Sequence, residues 1–329
     1  MNLILLTLLT AGTLLAADTS KGPPLKEADA KPPGQNKVTI TVKGDKRVIE
    51  SNGIPDHKVA TFPNRGNPNA ISEQKYHLEV PANPKPLEGG ATGRMMSAWG
   101  VALNGIVFDP GTAEVYNDGD RSNPWHYEAL MSNTEMGTTP KIKVGLGLDQ
   151  NHGHVQPNGA YHYHGLPTLL IEHLSSGEKK MTHVGWAADG FPVYAIYAYA
   201  KSEDPKSELK KMKSSYRLKT ADRGGDGKET PTGKPDGSFG LDFEYVAGSG
   251  DLDAFGGRSG VTPEFPKGTY YYVMTEEYPF IPRKFKGTPD PSFSKQAMDP
   301  HSNLGGQGGP GAKGGKNGKK GPPPEGAPK

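Results

Sequence analysis

The stretch Asp149-Gln150-Asn151-His152-Gly153-His154-Val155-Gln156-Pro157-Asn158-Gly159-Ala160-Tyr161-His162-Tyr163-His164 decides how this chain is read. It carries four of the ten histidines in 329 residues. They form two alternating pairs around Pro157-Asn158-Gly159, a turn signal, and alternation on both sides of a turn reads as a β-hairpin. Loop length then sets the chemistry. A two-residue loop, Asn158-Gly159, puts His154 opposite Tyr163 and sends the histidine pairs to opposite faces. A three-residue loop, Pro157-Asn158-Gly159, puts His154 opposite His162 and His152 opposite His164. All four rings then share one face, because side chains alternate with period two. The residue types favour the longer loop: Pro suits the first position of a type I turn, and Gly accepts the left-handed conformation that follows. Directly opposed Cβ atoms lie about 4.5–5.5 Å apart, so three or four imidazoles can reach one ion. Tyr161 and Tyr163 then face the other way, into packing. Two other readings compete: a hydrogen-bonded histidine cluster without metal, and a metal clip that only holds the domain together.

Composition bounds the rest. Met1–Ala17 reads as a secretory signal, with an apolar run at Leu3–Leu9, too short to span a bilayer, and small residues for cleavage. No Lys or Arg precedes that run. The expectation is an exported protein, periplasmic or extracellular, with no integral membrane segment in the mature chain. There is no cysteine, which excludes disulfides, thiolate metal ligands and thiol catalysis. The net charge of +2 gives no basic field for nucleic acid. With 45 glycines and 31 prolines among short runs of Val, Ile, Tyr and Thr, the chain reads as a turn-rich, mainly β protein with few short helices.

In chain order, residues 18–36 are Lys/Pro/Ala-rich and read as a disordered linker. Residues 37–97 read as a β-rich segment packed on the main domain, with strands at Val38–Val42 and Tyr76–Val80. The main domain runs over 98–304. It opens with a strand, a turn at Asn104-Gly105 and a second strand. A short helix is expected at Trp125–Ala129, with His126 as an outlying candidate ligand. Asp189-Gly190 marks a tight turn between two apolar runs. A solvated helix is expected over Ser202–Met212, a surface loop over Ala221–Ser238, and a strand over Phe239–Val246. Residues 305–329 are Gly/Pro/Lys low complexity and read as a disordered tail.

The hairpin has a second, altered copy. The frame Leu148-Asp149…Gly153-His154…Gly159-Ala160-Tyr161-His162-Tyr163-His164 returns as Leu252-Asp253…Gly257-Arg258…Gly268-Thr269-Tyr270-Tyr271-Tyr272-Val273. The tyrosines keep their places and all four histidines are replaced. The domain is therefore read as two related β units, around 148–167 and 252–273, with the site on the first.

Taken together, Tyr161-His162-Tyr163-His164, Asp149…Gly153-His154, Asp189-Gly190-Phe191-Pro192, Leu252-Asp253…Gly257-Arg258 and Tyr278-Pro279-Phe280-Ile281-Pro282 resemble the YHYH-domain family. The resemblance implies export and carries no established activity. The family pattern resembles D-x-C-N-G-H and L-D-x-C-N-G-R, where this chain has Asn151 and His152, then Phe255 and Gly256. His154, His162 and His164 match the pattern; His152 is an addition of this chain.

Three functions follow. The first is binding of one transition metal, zinc or copper, through His154, His162, His164 and His152, with an open catalytic position. Asp189 or Glu172 is then the candidate base or orienting carboxylate. The second is a non-enzymatic cell-surface module that binds a glycan or another protein through Tyr270, Tyr271, Tyr272 and Tyr278; the partner expected overall is a small molecule or a surface polymer. The third is a structural metal site. Arg258 is expected to pair a carboxylate or anion near the first site. The chain shows no phosphate loop, G-x-S-x-G elbow or H-E-x-x-H motif.

Overall fold

The alternation of Val38-Thr39-Ile40-Thr41-Val42 opens a three-stranded antiparallel sheet made of β1 (Val38–Lys43), β2 (Lys46–Ser51) and β3 (Tyr76–Pro81). Ile40 lies opposite Ile49, and Ile49 opposite Leu78. One face of the sheet is therefore apolar, and Ile49 and Leu78 are buried in the main core. This computed structural model describes residues 25–92, 98–117, 120, 122–130 and 146–298. The expected signal segment and the expected C-terminal tail lie outside the described residues. A two-residue pairing of β4 (Ala91–Thr92) with β17 (Lys284–Phe285) joins distant parts of the chain.

The main sheet has eight strands: β5 (Gly100–Ala102), β6 (Val107–Phe108), β7 (Gly153–Val155), β8 (Tyr161–Tyr163), β9 (Thr182–Ala187), β10 (Pro192–Ala195), β15 (Gly257–Gly260) and β16 (Thr269–Met274). Their spatial order is β15-β16-β10-β9-β5-β6-β8-β7. Neighbours are antiparallel except β6 with β8 and β10 with β16, which run parallel. The histidine hairpin thus closes one edge of the sheet, and the 252–273 hairpin closes the other. The expected turns are present, with Gly105 at φ +79 and Gly190 at φ +88, values glycine adopts without a Cβ clash.

Two small sheets flank this one: β11 (Tyr197–Tyr199) with β12 (Leu209–Lys211), and β13 (Tyr216–Leu218) with β14 (Phe243–Tyr245). The helix expected over Ser202–Met212 is absent. Asp204-Pro205 breaks its start, because proline disfavours a helical residue before it. Leu209–Lys211 then find a strand partner, and Met212 is buried. The helix expected at Trp125–Ala129 is likewise replaced, by isolated bridges of His126 to Val115 and Tyr127 to Phe239. Residues 25–36, read as part of a linker, run along the domain instead. The Lys26 amide donates to Leu148 O at 2.8 Å, Ala30 and Val59 exchange two bonds, and Ala28 is buried.

The fold is mainly β; among the described residues there is one two-turn helix, α1 (Thr168–Ser175), and a single turn at α2 (Lys295–Met298). One core spans both larger sheets and includes Trp99, Val101, Phe108, Tyr161, Tyr163, Val184, Phe191 and Tyr272. Fully burying side chains of this size contributes roughly 1.5–3 kcal/mol each. Their hydroxyls are all partnered: Tyr161 donates to Asp149, Tyr163 bonds to Asn104 and His57, and Tyr272 donates to Asp189. Among the described residues, no helix is long and apolar enough to cross a membrane.

Candidate metal centre

The hairpin takes the three-residue loop. His154 pairs with His162, Val155 with Tyr161 and Gly153 with Tyr163. The Gln156 amide donates to Ala160 O at 2.9 Å, which closes the loop around Pro157-Asn158-Gly159, and Gly159 sits at φ +85. Tyr161 and Tyr163 point into the core, fully buried.

Asp149 builds the entry to β7. Its Oδ1 accepts from the amides of Asn151 at 2.9 Å and Gly153 at 3.2 Å, and its Oδ2 accepts from Tyr161 Oη at 2.8 Å. This turn forces His152 to φ +54. The His164 amide still donates to His152 O at 2.8 Å, so the two residues are neighbours as the register requires. The left-handed backbone swings the His152 ring off the shared face, and its Nδ1 donates to Leu166 O at 2.7 Å. The structure does not bring His152 to the other three. Strict alternation begins only at Gly153. A Cβ at Gly153 would lie 2.3 Å from Tyr161 Oη, which explains glycine there.

His154, His162 and His164 converge. His164 Nε2 lies 3.0 Å from His154 Nε2 and 3.1 Å from His162 Nε2. One nitrogen from each ring falls within a 4.8 Å group. Ligands 2.05 Å from a tetrahedral ion would be about 3.3 Å apart, close to this spacing. The tautomers suit a cation. His154 Nδ1–H donates to Leu146 O at 2.8 Å and His162 Nδ1–H to Ala160 O at 3.2 Å. In a neutral ring, each of these Nε2 atoms is then left with its lone pair. Two lone pairs aimed at the third ring nitrogen repel unless a cation or a shared proton lies among them. His164 Nδ1 is buried without a protein partner.

Burial keeps these rings neutral. It pushes His154 down to about 4. Burial, reinforced by His154, pushes His162 down to about 3. His164 falls well below its ordinary value through burial, then through the charges of His154, His162 and Arg283. Neutral imidazole is the form that binds metal.

The triad is enclosed on one side and open on the other. His162 and His164 are 2% and 3% exposed, while His154 is only partly buried. All three line a cavity of about 470 Å³, together with Asn67, Val107, Asp109, Glu114 and Gln156. Since all three rings line this cavity, a fourth ligand would come from it.

The other candidates lie elsewhere. Asp189 is buried in the β9–β10 turn, where its Oδ2 accepts from Tyr272 Oη at 2.6 Å and from the Gly287 amide at 2.8 Å. Its carboxylate organises the core and does not line the histidine cavity. Glu172 is exposed on α1. His126 Nδ1 donates to Thr112 O at 2.8 Å. Arg258 sits at the opposite edge of the sheet, where its Nε donates to Tyr271 Oη at 2.8 Å and its Nη2 to Tyr199 O. Tyr270, Tyr271 and Tyr272 are buried core residues, and the half-buried Tyr278 stacks on Phe243.

Sequence reasoning missed Asn67, Asp109 and Gln156. Asn67 Nδ2 lies 3.3 Å from His154 Nδ1 and donates to Val155 O at 2.8 Å, pinning β7 from a loop that the sequence leaves unplaced. A signal for Asp109 exists: it continues the alternation of Val107. Its meaning depends on the pairing of β6 with β8, which sequence does not reveal.

Comparison with known proteins agrees with the motifs. A family described as "YHYH protein" matches residues 77–287, well over half of the chain. No curated protein and no solved structure matches it.

Proposed function

The chain belongs to the YHYH protein family, and we propose that it binds one transition metal ion, zinc or copper, through His154, His162 and His164. The observation that carries this reading is the meeting of three neutral ring nitrogens with 3.0 and 3.1 Å between neighbours. Imidazole-only sites suit these two metals. Three protein ligands and a cavity at the fourth position resemble a catalytic arrangement more than a closed structural one. A metal there would act as a Lewis acid on a molecule in the cavity. Backbone carbonyls holding two Nδ1 protons fix the rings, as outer-shell partners do in metal sites generally. The apolar run Leu3–Leu9 and the small residues after it support export as the setting.

The test is elemental analysis and native mass spectrometry after incubation with zinc and with copper. One ion per chain is the expected result. Protein that stays metal-free with both ions would overturn the reading.

A further inference from the structure

The histidine face of the hairpin continues onto the neighbouring strand. Val107 lies opposite His162 and Phe108 opposite Tyr163 in the parallel β6–β8 pair. The Asp109 amide donates to Tyr163 O at 2.9 Å, which extends that ladder by one residue and sets Asp109 beside His164. Alternation places Phe108 on the tyrosine face, where its ring lies 6.0 Å from that of Tyr163. It places Val107 and Asp109 on the histidine face, and both line the cavity with all three histidines.

The Asp109 carboxylate reaches across this face. Its Oδ2 accepts from Gln156 Nε2 at 3.3 Å, and its Oδ1 accepts from the Gly111 amide at 3.3 Å. Gln156 follows His154 by two residues at the far strand of the hairpin. The strand that carries His162 lies between β6 and β7. A bond from Asp109 to Gln156 therefore spans β8 on the face that carries His162. Among the described residues, no carboxylate joins the three histidines within the 4.8 Å group, so Asp109 stands back from the ligand atoms. A direct ligand would sit about 2.0–2.2 Å from the ion. A carboxylate set back from that position has room for a water in between.

Building on the metal reading above, we propose that Asp109 accepts a hydrogen bond from a water in the open position on the metal. An ionised carboxylate only accepts, and its bonds to a polarised donor are strong. The same negative charge disfavours small anions at that position. Asp109 thereby selects water, or another neutral proton donor, over an anionic ligand.

The experiment uses the full chain loaded with cobalt(II), followed by visible absorption during titration with azide. Asp109→Asn should retain one cobalt per chain, with affinity within a few-fold of wild type. Its azide affinity should rise about tenfold, as expected for loss of one charge several ångströms away. Unchanged azide affinity would overturn the proposal. So would a hundredfold or greater loss of cobalt affinity in a folded variant, which would make Asp109 a direct ligand. If Asp109→Asn does not fold, Asp109→Ser makes the same comparison. Failure of both to fold, judged by circular dichroism, would assign Asp109 a structural role and end the proposal. Wild-type protein that takes up no cobalt, zinc or copper would overturn the metal reading itself, a distinct result.

Discussion

Asp149 and Asp253 hold two turns in the same way. The amides of Gly153 and Gly257 donate to them at 3.2 and 3.1 Å, and the hydroxyls of Tyr161 and Tyr270 at 2.8 and 3.0 Å. His152 and Gly256 both take positive φ, at +54 and +79. His154 lies opposite His162 as Arg258 lies opposite Tyr271. The two hairpins differ in what covers the face between the tyrosines. At the second hairpin, Tyr271 and Val273 are packed under Met181, Tyr194, Met212 and Leu252, and Arg258 spends its donors on Tyr271 and Tyr199. At the first, the corresponding face carries three histidines and looks onto the cavity. One backbone solution thus supports either a closed core or an open site, and the neighbouring elements decide which.

The strongest way to break this comparison is to remove the chemistry from one hairpin only. The double variant His162→Ala, His164→Ala should lose metal completely, whereas Arg258→Ala should keep one ion per chain. Both are read by elemental analysis. Metal retained in the double variant would move the site off the hairpin.

Turn substitutions come next. A Cβ at Gly159 would fall 1.9 Å from Ser72 Oγ, while one at Gly268 meets nothing nearer than 3.6 Å. Both glycines have φ near +90, where a β-branched residue is strained. Gly159→Val should cost about 3 kcal/mol and weaken metal binding. Gly268→Val should cost about 1–2 kcal/mol and leave the metal in place. Denaturant midpoints and metal titrations measure both. Equal costs would show that the contact with the Ser72 loop contributes little.

Acid should separate the hairpins further. The folded values of His154 and His162, about 4 and about 3, lie below the unfolded value near 6.5. Between those limits the unfolded chain binds more protons, so stability rises with pH there. The contribution is fully present above about 6.5 and is lost as pH falls toward 4 and 3. The metal-free wild type should therefore lose melting temperature on acidification faster than the double-histidine variant. His183, pushed down to about 4 by burial, titrates in both and cancels in the difference. Parallel pH profiles would contradict the buried-neutral assignment.

The smallest effect belongs to His152. His152→Asn should change stability by no more than about 1 kcal/mol, because Asn tolerates a left-handed backbone, and metal stoichiometry should stay the same. Gly256→His should cost more, since a Cβ there meets Pro282 Cγ at 2.8 Å. Loss of metal in His152→Asn would restore that ring to the ligand set.

Much of this was legible in the chain. Period-two alternation around Pro157-Asn158-Gly159 gave the register, the loop and the inward tyrosines. It failed at His152 because the Asp149 turn imposes a left-handed residue before the strand begins, and alternation holds only inside a strand. Asp189 was visible as turn chemistry, but its partners, Tyr272 and Gly287, lie far along the chain. Asp109 and the cavity wall depend on the parallel pairing of β6 with β8, a long-range contact without a local signature. The segment 202–212 shows the reverse case, in which helical propensity yields to a strand partner.

The position of β7 has one more consequence. Among the described residues it is the terminal strand of the sheet, three residues long, with β8 as its only neighbour. Short edge strands are where native chains open first, and amide protons there exchange through local fraying instead of global unfolding. His154 lies on β7, and His162 lies on β8 with His164 just beyond it. An ion shared among them would rivet the outermost strand to the body of the sheet. Amide exchange at His154, whose pair with His162 is a hydrogen-bonded one, should then slow on metal loading, while Arg258, on the edge strand at the other side, keeps its rate.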